Sequence, residues 1–390
     1  MRLSSKNYEQ LLSKLKALGQ QHLLEGTPTE ELLLEVENLD SNQFRKLQNL
    51  IHAPPPKYAQ LVPSEPFIPV ESLPTTFDER CTVGCLIVAG GQGTRLGFKG
   101  PKGMFKLGSK TLYQILAERT RLSNQKACRF LPIAIMTSPE NREETEGYFR
   151  INDFFGLIPE QVEFFTQTEI PFLDDQGNLF LNSMGDIAQG PDGNGWALKN
   201  FYTSGIWEKW YKQGIRTLNF TLIDNLLADP FDPQLTNFHV EHNNDITVKA
   251  ILREDPMEKV GIFAKLENRL NVIEYSEFPL EERLARLENG GLAYPYANIS
   301  LFCFRMASIP EWNFEAMPWH LAHKPAQRKD LTSPLAWKFE KFIFDVLPLA
   351  TKIGGLLYPR KSCFAPLKSK EDLPVVQAAL QSLNLDDKIK

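Results

Sequence analysis

The sequence lacks any apolar run long enough to cross a lipid bilayer, and charged residues interrupt its beginning at Arg2, Lys6 and Glu9. A membrane-spanning helix needs about 20 predominantly apolar residues, and a secretory signal needs a shorter uncharged core. Neither pattern is present. We therefore expect no membrane segment and no signal peptide, and we predict a cytoplasmic protein.

A large excess of charge of one sign is also missing. Lys and Arg number 43 against 48 Asp and Glu, which gives a net charge of −5. A broad nucleic-acid surface requires many clustered cations, and this balance disfavours it. We expect neither nucleic acid nor a membrane as a partner. A local cationic site for phosphate remains compatible with the composition.

Cysteine is scarce, with five residues at the scattered positions 81, 85, 128, 303 and 363. A disulfide-stabilised secreted domain carries a denser set of cysteines that can pair. We expect all five to be reduced thiols, most of them buried.

Composition and proline content divide the chain into four predicted parts. Residues 1–52 show helical spacing of leucines, and Thr27–Glu30 resembles a helix cap. Residues 53–75 contain seven prolines, which excludes regular helix and predicts an extended connector. We predict a main domain over 76–330 and a short C-terminal segment over 331–390.

From residue 83 onward, apolar strands alternate with helices. The predicted strands are 83–89, 132–137, 161–166, 218–223, 246–253, 259–266 and 298–304. The predicted helices lie near 111–122, 140–150, 195–213, 335–349 and 371–383. Apolar rather than alternating strands are typical of a parallel sheet that is covered on both faces. The pattern predicts an α/β protein with a Rossmann-like, doubly wound, mostly parallel sheet.

The most informative motif is the run Leu86–Gly97, which is followed by Pro101-Lys102. The strand ends in glycines at 90, 91 and 93, which let backbone N–H groups approach a ligand closely. Arg95 and Lys102 place two cations beside that backbone. A glycine turn with two adjacent cations predicts a polyphosphate site, and a plain strand-to-helix turn is the alternative.

Two common phosphate motifs do not fit this loop. An ATP or GTP P-loop requires Lys-Ser/Thr directly after its last glycine, where this chain has Thr94-Arg95. A dinucleotide fold requires a third glycine where Leu96 stands. It also requires an acid at the end of the second strand, whereas the predicted strand 132–137 ends in Ser138-Pro139.

The pattern Gly-x-Gly-Thr-Arg-Leu with a downstream Pro-Lys resembles the nucleotidyltransferases that make nucleotide sugars, and most closely the eukaryotic-type UDP-N-acetylglucosamine pyrophosphorylases. Further blocks resemble this family in the same order over roughly residues 83–370. They are 191–195, 223–225 with 228–230, 260–261, 272–277, 297–299, 340–345 and 364–368. The resemblance implies the nucleotide-diphospho-sugar transferase fold, which is GT-A-like. It also implies that 76–330 is the catalytic nucleotidyltransferase domain and that 331–390 completes the sugar-phosphate site.

The implied activity is the transfer of uridylate from UTP to N-acetylglucosamine 1-phosphate, giving UDP-N-acetylglucosamine and pyrophosphate. UDP-glucose pyrophosphorylase and a broader UDP-sugar pyrophosphorylase are the alternatives. The implied partners are the small molecules UTP and a hexose or hexosamine 1-phosphate. We expect a monomer or a weak homo-oligomer.

The resemblance also implies roles for individual residues. The catalytic pair is Arg95 and Lys102. The UTP-binding residues are Val88, Ala89, Gly90, Gly91, Gln167, Gly193, Asp224 and Lys341. The sugar-phosphate residues are Asn194, Gly261, Glu274, Tyr275, Asn298 and Lys368.

Three of these residues bear on the metal, on the choice of sugar and on the phosphate contacts. Asp224 is the expected ligand of Mg²⁺ (or Mn²⁺), with a helix cap as its alternative. Asn194 favours an acetylated hexosamine, because UDP-glucose enzymes of the superfamily tend to carry His there. Lys341 falls in the helix predicted over 335–349, where a lysine is often only solvated.

Two other functional classes are weighed against this one. A sugar-nucleotide glycosyltransferase is expected to show Asp-x-Asp, and the chain contains no such tripeptide. A non-catalytic sensor or scaffold is expected to lose Arg95, Lys102 or Asp224, and all three are present.

Overall fold

The computed structural model describes residues 5–25, 28–54, 58 and 60–382. Within these residues the α-helices, α1 to α11 in chain order, are Ser5–Ala17, Glu30–Asn38, Ser41–Ile51, Leu112–Ala127, Arg142–Ile151, Ala197–Thr203, Ile206–Lys212, Pro233–Glu241, Leu280–Leu284, Arg360–Cys363 and Leu373–Ser382. None of the helices in this part of the chain combines the length and apolarity that crossing a bilayer would require.

The strands of the same residues, β1 to β17, are Val62–Pro63, Ile68–Pro69, Val83–Val88, Lys106–Leu107, Lys110–Thr111, Ile133–Thr137, Val162–Thr166, Glu169–Pro171, Gln189–Pro191, Thr217–Leu222, Ile246–Leu252, Gly261–Leu266, Arg269–Ile273, Tyr296–Arg305, His320–Pro325, Leu335–Glu340 and Ile353–Leu357. Short 3₁₀ turns matter for the site at Thr94–Leu96, Lys102–Met104 and Lys370–Asp372.

The chain divides into two compact units. The first unit combines Met1–Pro56, Thr168–Asn194 and Pro318–Phe342, and the second combines Lys57–Gln167, Gly195–Met317 and Ile343–Lys390. The predicted parts were continuous ranges, whereas each compact unit gathers three separate stretches. This difference arises because packing between distant stretches leaves no local mark in composition.

The second unit is built on an 11-stranded sheet with the order β2-β17-β11-β14-β10-β3-β6-β7. Strands β10, β3, β6 and β7 are mutually parallel, as are β11, β17 and β2. Strand β14 runs antiparallel to both of its neighbours β10 and β11, and β12 with β1 and β13 attaches beside it. The predicted α/β class with a mostly parallel central sheet is confirmed.

Both faces of this sheet are covered around β3. Val83, Cys85 and Ile87 belong to one hydrophobic cluster with α4 residues. On the opposite face, the Trp210 ring of α7 fills the space beside Gly84 so closely that a side chain there would overlap it. Because successive residues of a strand point to opposite faces, β3 has to be apolar throughout.

The first unit contains α1, α2 and α3 together with two hairpins, β8–β9 and β15–β16. Leucines of the three helices share one core with Ile170, Leu173 and Phe339. Thr29 caps α2 by accepting a hydrogen bond from Leu32 N at 3.0 Å, as the sequence predicted. The predicted Thr27 lies outside the described residues.

Two predicted helices are corrected. The helix predicted over 335–349 is wrong, because Leu335–Glu340 is strand β16, paired with β15, and Ile343–Leu349 is a 3₁₀ segment that contains Pro348. The long helix predicted over 195–213 is two helices, α6 and α7. They are separated at Gly205, which adopts φ +84° and so cannot continue a helix.

The proline-rich connector is extended where it is described. Strand β1 pairs with β12 and strand β2 pairs with β17, so this stretch adds two short strands to the sheet of the second unit. Residues 55–57 and 59 of the predicted connector lie outside the described part.

Candidate active site

The glycine loop that follows β3 is closed by its own backbone. Gly93 N donates to Gly100 O at 3.0 Å, and Lys102 N donates to Gly91 O at 3.0 Å. Arg95 lies in the 3₁₀ turn Thr94–Leu96 and is exposed. The loop therefore presents Arg95 to solvent, while its closure draws Lys102 back toward the end of β3.

Lys102 and Asp224 form an ion pair, with Lys102 Nζ 2.9 Å from Asp224 Oδ2. The two side chains are only 11% and 18% exposed, so water screens this pair weakly. The residues are 122 positions apart in the sequence and meet because β3 and β10 are parallel neighbours. Two predicted site residues are thus brought into direct contact.

The pair lies at the carboxyl edge of the sheet. Val88 is aligned with Leu222, and Ile223 N donates to Val88 O at 3.0 Å, so Ala89 and Asp224 leave the sheet side by side. In the sheet β3 lies between β6, which follows it in the chain, and β10, which comes later in the chain. The strand order therefore changes direction at β3, and parallel sheets bind ligands at such a switch point, beyond the carboxyl ends of the strands. Asp224 caps no helix, because residues 223–228 contain no helix and α8 is capped by Asp232.

Asp224 has an oxygen that suits a cation. Its Oδ1 atom is buried and has no hydrogen-bond partner, while Oδ2 contacts Lys102. Within the described residues, no group of three or more His, Cys, Asp or Glu side chains forms a ready-made metal site. A single carboxylate is the usual protein contribution to Mg²⁺ when phosphate oxygens and water supply the remaining ligands. The residue therefore fits the expected metal.

Gly90 is tightly enclosed by polar side chains of the second unit. A Cβ atom at position 90 would lie 2.7 Å from Gln167 Oε1 and 2.9 Å from Gln167 Nε2. Gln167 is buried, and its backbone N donates to Thr137 O at 2.8 Å. The side-chain amide of Gln167, a predicted UTP-binding residue, is therefore held against the glycine loop, and only glycine at position 90 leaves it room.

Five predicted sugar-phosphate residues lie in the second unit, and four of them lie in or just after the strands β12, β13 and β14. Gly261 of β12 is aligned with Asn298 of β14, where a Cβ at 261 would lie 3.6 Å from Asn298 Nδ2. Asn298 precedes a bulge in β14 at which Ser300 adopts φ +54°, and such bulges redirect side chains. Glu274 and Tyr275 follow directly after β13.

The turn after β13 is fixed by several bonds. Glu274 O accepts hydrogen bonds from Glu277 N and Phe278 N, both at 2.9 Å. The Tyr58 hydroxyl donates to Glu277 Oε2 at 2.7 Å. Burial, aided by the neighbouring Glu277 carboxylate, raises the pKa of Tyr58 well above its ordinary value, so the phenol keeps its proton and this bond.

Lys368 lies on a C-terminal stretch that is bound to Asp224. Leu367 N donates to Asp224 O at 2.8 Å, and Asn225 forms a bridge with Pro366. Lys368 itself is exposed. The predicted phosphate-contacting lysine is therefore carried next to the end of β10.

Gly193, Asn194 and Lys341 fall in the first unit. Gly193 forms a parallel bridge with Lys341, and Lys341 N donates to Asp192 O at 2.8 Å. Gly193 adopts φ +86°, and any Cβ there would overlap the Lys341 carbonyl oxygen. Lys341 follows strand β16 rather than lying in a helix, and its side chain is buried with Nζ 4.7 Å from the centre of a Trp319 ring.

The model of the UTP--glucose-1-phosphate uridylyltransferase family matches residues 54–389 of this chain. The chain belongs to this family. The UDP-N-acetylglucosamine pyrophosphorylase of Saccharomyces cerevisiae is 35% identical over 321 residues, which cover 75% of this chain and 66% of the yeast protein. The chain thus spans about two thirds of that relative's length.

A plant protein and a solved structure are also similar to this chain. The UDP-N-acetylglucosamine diphosphorylase 2 of Arabidopsis thaliana is 29% identical over 411 residues, which cover 93% of this chain and 80% of the plant protein. The crystal structure of the UDP-N-acetylglucosamine pyrophosphorylase from Trypanosoma brucei has the same fold. It gives a TM-score of 0.79 at 24% identity, covering 97% of this chain and 85% of that one.

Two further residues, neither of which is among the predicted site residues, shape the site of this uridylyltransferase-family chain. Asn141 is fully buried and its Nδ2 donates to Gly90 O at 3.1 Å, which fixes the start of the glycine loop. Asn225 follows Asp224 and binds the C-terminal stretch through both ends of its amide. A signal for both was available, since each is a polar residue just beyond a buried strand of a parallel sheet.

Proposed function

We propose that this chain transfers uridylate from UTP to N-acetylglucosamine 1-phosphate, forming UDP-N-acetylglucosamine and releasing pyrophosphate. Family membership and the names of the yeast and plant relatives support this reaction. The single observation that carries the proposal is the Lys102–Asp224 pair beside the glycine loop, at the edge where β3 and β10 end.

The reaction is an in-line displacement at the α-phosphorus of UTP. A phosphate oxygen of the sugar phosphate forms a bond to that phosphorus, and the bond from the α-phosphorus to the oxygen bridging the β-phosphorus breaks. Pyrophosphate leaves with the electron pair. The attacking oxygen is already ionised at neutral pH, so positioning and charge stabilisation account for catalysis.

Repulsion between the two substrates is the main physical obstacle. Each pair of unit like charges at 4 Å costs about 1 kcal/mol in water and about 4 kcal/mol near a protein surface. Lys102 would offset charge near the α-phosphate, because its ammonium is held at the strand end. Arg95, exposed on its turn, would bind the departing β- and γ-phosphates with its planar fork.

Magnesium, or manganese, is the proposed metal. Asp224 would hold it through the buried Oδ1 atom, with Lys102 on the other carboxylate oxygen. When bound, such an ion neutralises phosphate charge and polarises the reacting phosphorus. Removing divalent ions with a chelator is expected to abolish pyrophosphate release, and adding Mg²⁺ back is expected to restore it.

The proposed preference of the enzyme for an acetylated sugar rests on Asn194 and on the names of the relatives. Pyrophosphate release should be measured with UTP and, in separate assays, the 1-phosphates of N-acetylglucosamine, N-acetylgalactosamine and glucose. We expect the highest kcat/KM with N-acetylglucosamine 1-phosphate, and Asn194→His is expected to shift the sugar ratio more than the UTP KM. No release with any sugar phosphate in the presence of Mg²⁺ would contradict the proposed function.

UDP-glucose formation is the second candidate, because the matching family is described by its glucose 1-phosphate reaction. A higher kcat/KM for glucose 1-phosphate than for the acetylated sugars would favour it.

The cytoplasmic location and the monomeric or weakly homo-oligomeric state remain predictions. Cell fractionation and sedimentation of the purified chain test them.

A further inference from the structure

The C-terminal stretch Cys363–Asp372 is bound tightly to the end of β10. Asn225 is buried; its Nδ2 donates to Cys363 O at 2.9 Å, and its Oδ1 accepts from Ala365 N at 3.1 Å. Leu367 N donates to Asp224 O at 2.8 Å. Three hydrogen bonds therefore fix this stretch to Asp224 and Asn225, just beyond the end of β10.

The direction of the stretch beyond Leu367 is set by a capping box. Asp372 Oδ2 accepts hydrogen bonds from Lys368 N at 2.8 Å and from Ser369 N at 2.7 Å. Ser369 is the N-cap of the 3₁₀ turn Lys370–Asp372. A capping box satisfies donors that would otherwise be free at the start of a turn, so Lys370 begins a well-defined turn.

The Lys370 side chain reaches back to the glycine loop. A Cβ atom at Gly97 would lie 2.8 Å from Lys370 Nζ and 2.9 Å from Lys370 Cε. Gly97 adopts φ +71° and closes the turn that carries Arg95, through a bond from Gly97 N to Thr94 O at 2.9 Å. The ammonium of Lys370 thus occupies the space that any side chain at position 97 would need.

Lys370 is exposed, and its charge acts on the adjacent Glu371 carboxylate without forming an ion pair with it. Across the described residues, no carboxylate forms an ion pair with Lys370 or with Arg95, whereas Lys102 is paired with Asp224. Two cations associated with one turn repel each other, and an anion bound between them removes that cost. The arrangement suits a polyanion that approaches the turn Thr94–Gly97.

We propose that Lys370 binds the β- and γ-phosphates of UTP, and the pyrophosphate released from it, together with Arg95. This inference rests on the proposed function and deepens it by adding a phosphate ligand that the glycine motif does not contain. The geometry favours the leaving phosphates, because Lys102 is paired with Asp224, whereas Lys370 lies against Gly97 in the turn that carries Arg95.

The test is calorimetric titration of the full chain with pyrophosphate and Mg²⁺, alongside steady-state kinetics. Lys370→Ala is expected to weaken pyrophosphate binding about ten-fold, since a charge-assisted hydrogen bond contributes on that scale. The KM for UTP should rise while the KM for the sugar phosphate stays unchanged. Lys370→Arg should recover most of the affinity, and Lys361→Ala, an exposed lysine of α10, serves as the matched control.

The outcomes separate the two proposals. Equal pyrophosphate affinity of Lys370→Ala and the wild type overturns the role of Lys370, and the proposed function then stands on the wild type's own turnover. Loss of affinity in Lys370→Ala that Lys370→Arg does not recover points to a packing role and also overturns it. A wild type that binds no pyrophosphate and shows no turnover overturns both.

Discussion

Single residues of this chain are constrained by what lies directly against them. Gly90 leaves room for the Gln167 amide, and Gly193 leaves room for the Lys341 carbonyl. Lys102 and Asp224 are each other's partner in a weakly hydrated place. Such positions tolerate little change, because a steric overlap or an unpaired buried charge has no nearby solvent to relieve it.

Gly193→Ala is expected to destabilise the protein strongly. Its positive φ disfavours any side chain, and its Cβ would also overlap Lys341. Gly205→Ala is a matched control, because Gly205 has φ +84° and open space around it. We expect a loss of about 3 kcal/mol for Gly193→Ala and about 1 kcal/mol for Gly205→Ala in urea unfolding. Equal losses would show that the overlap is relieved at no cost.

Lys102→Ala and Arg95→Ala are each expected to lower kcat about 100-fold, because charge-stabilising groups at reacting phosphates contribute on that scale. The measurement is pyrophosphate release at saturating substrates. Lys106→Ala removes an exposed lysine of the neighbouring strand β4 and is expected to leave kcat unchanged. Near-normal turnover in both site variants would remove the roles assigned to them.

Individual elements follow local signals where these are strong. Strand β3, helix α4 and the capped α2 form where the sequence predicts them. In 335–340 the apolar residues Leu335, Trp337 and Phe339 alternate, which is the period of a strand. The helix prediction overlooked that alternation, and pairing with β15 together with the bonds between Trp337 and Leu173 fixes the strand.

Helix α3 provides a test of capping at the scale of an element. Asp40 accepts hydrogen bonds from Asn42 N at 2.8 Å and Gln43 N at 3.1 Å. Asp40→Ala is expected to cost about 1 kcal/mol in urea unfolding, because two helix N–H groups lose their acceptor. Asp40→Asn keeps a capping oxygen and is expected to cost much less. A similar cost for both would assign the effect to charge.

At the scale of the whole molecule, each compact unit is assembled from stretches that are far apart in the sequence. The second unit holds most of the predicted site residues. Its strands β3 and β10 are parallel neighbours, so the loops that follow them lie at the same edge of the sheet. The first unit contains Gly193, Asn194 and Lys341. There the backbone of Lys341 pairs with that of Gly193, and Lys341 N donates a hydrogen bond to Asp192 O. The ranges predicted from composition do not reflect this division.

Stability against acid is a whole-molecule property to which His239 contributes. Burial, and then the charge of Arg305, lowers the pKa of His239 to about 3. Below about pH 6.5 the unfolded chain binds a proton that the folded chain excludes. The contribution of neutral His239 to the free energy of unfolding is therefore fully present above pH 6.5. It is lost as the pH falls toward 3, by up to about 1.4 kcal/mol per pH unit.

His239→Asn is expected to flatten the dependence of unfolding free energy on pH between 6 and 4. The measurement is urea unfolding at each pH. His52→Asn, at an exposed histidine that follows α3, is expected to leave the slope as in the wild type. An unchanged slope in His239→Asn would mean that this histidine is protonated in the folded protein.

The amino-acid sequence alone determined the buried strands, the glycine loop and the family. These features depend on residues adjacent in the chain, such as Gly90 to Arg95. Tertiary structure alone decided that Lys102 meets Asp224 across 122 positions, that 335–340 is a strand, and that Lys370 returns to Gly97. Contacts between distant residues depend on which strands become neighbours, and local periodicity carries no information about that choice.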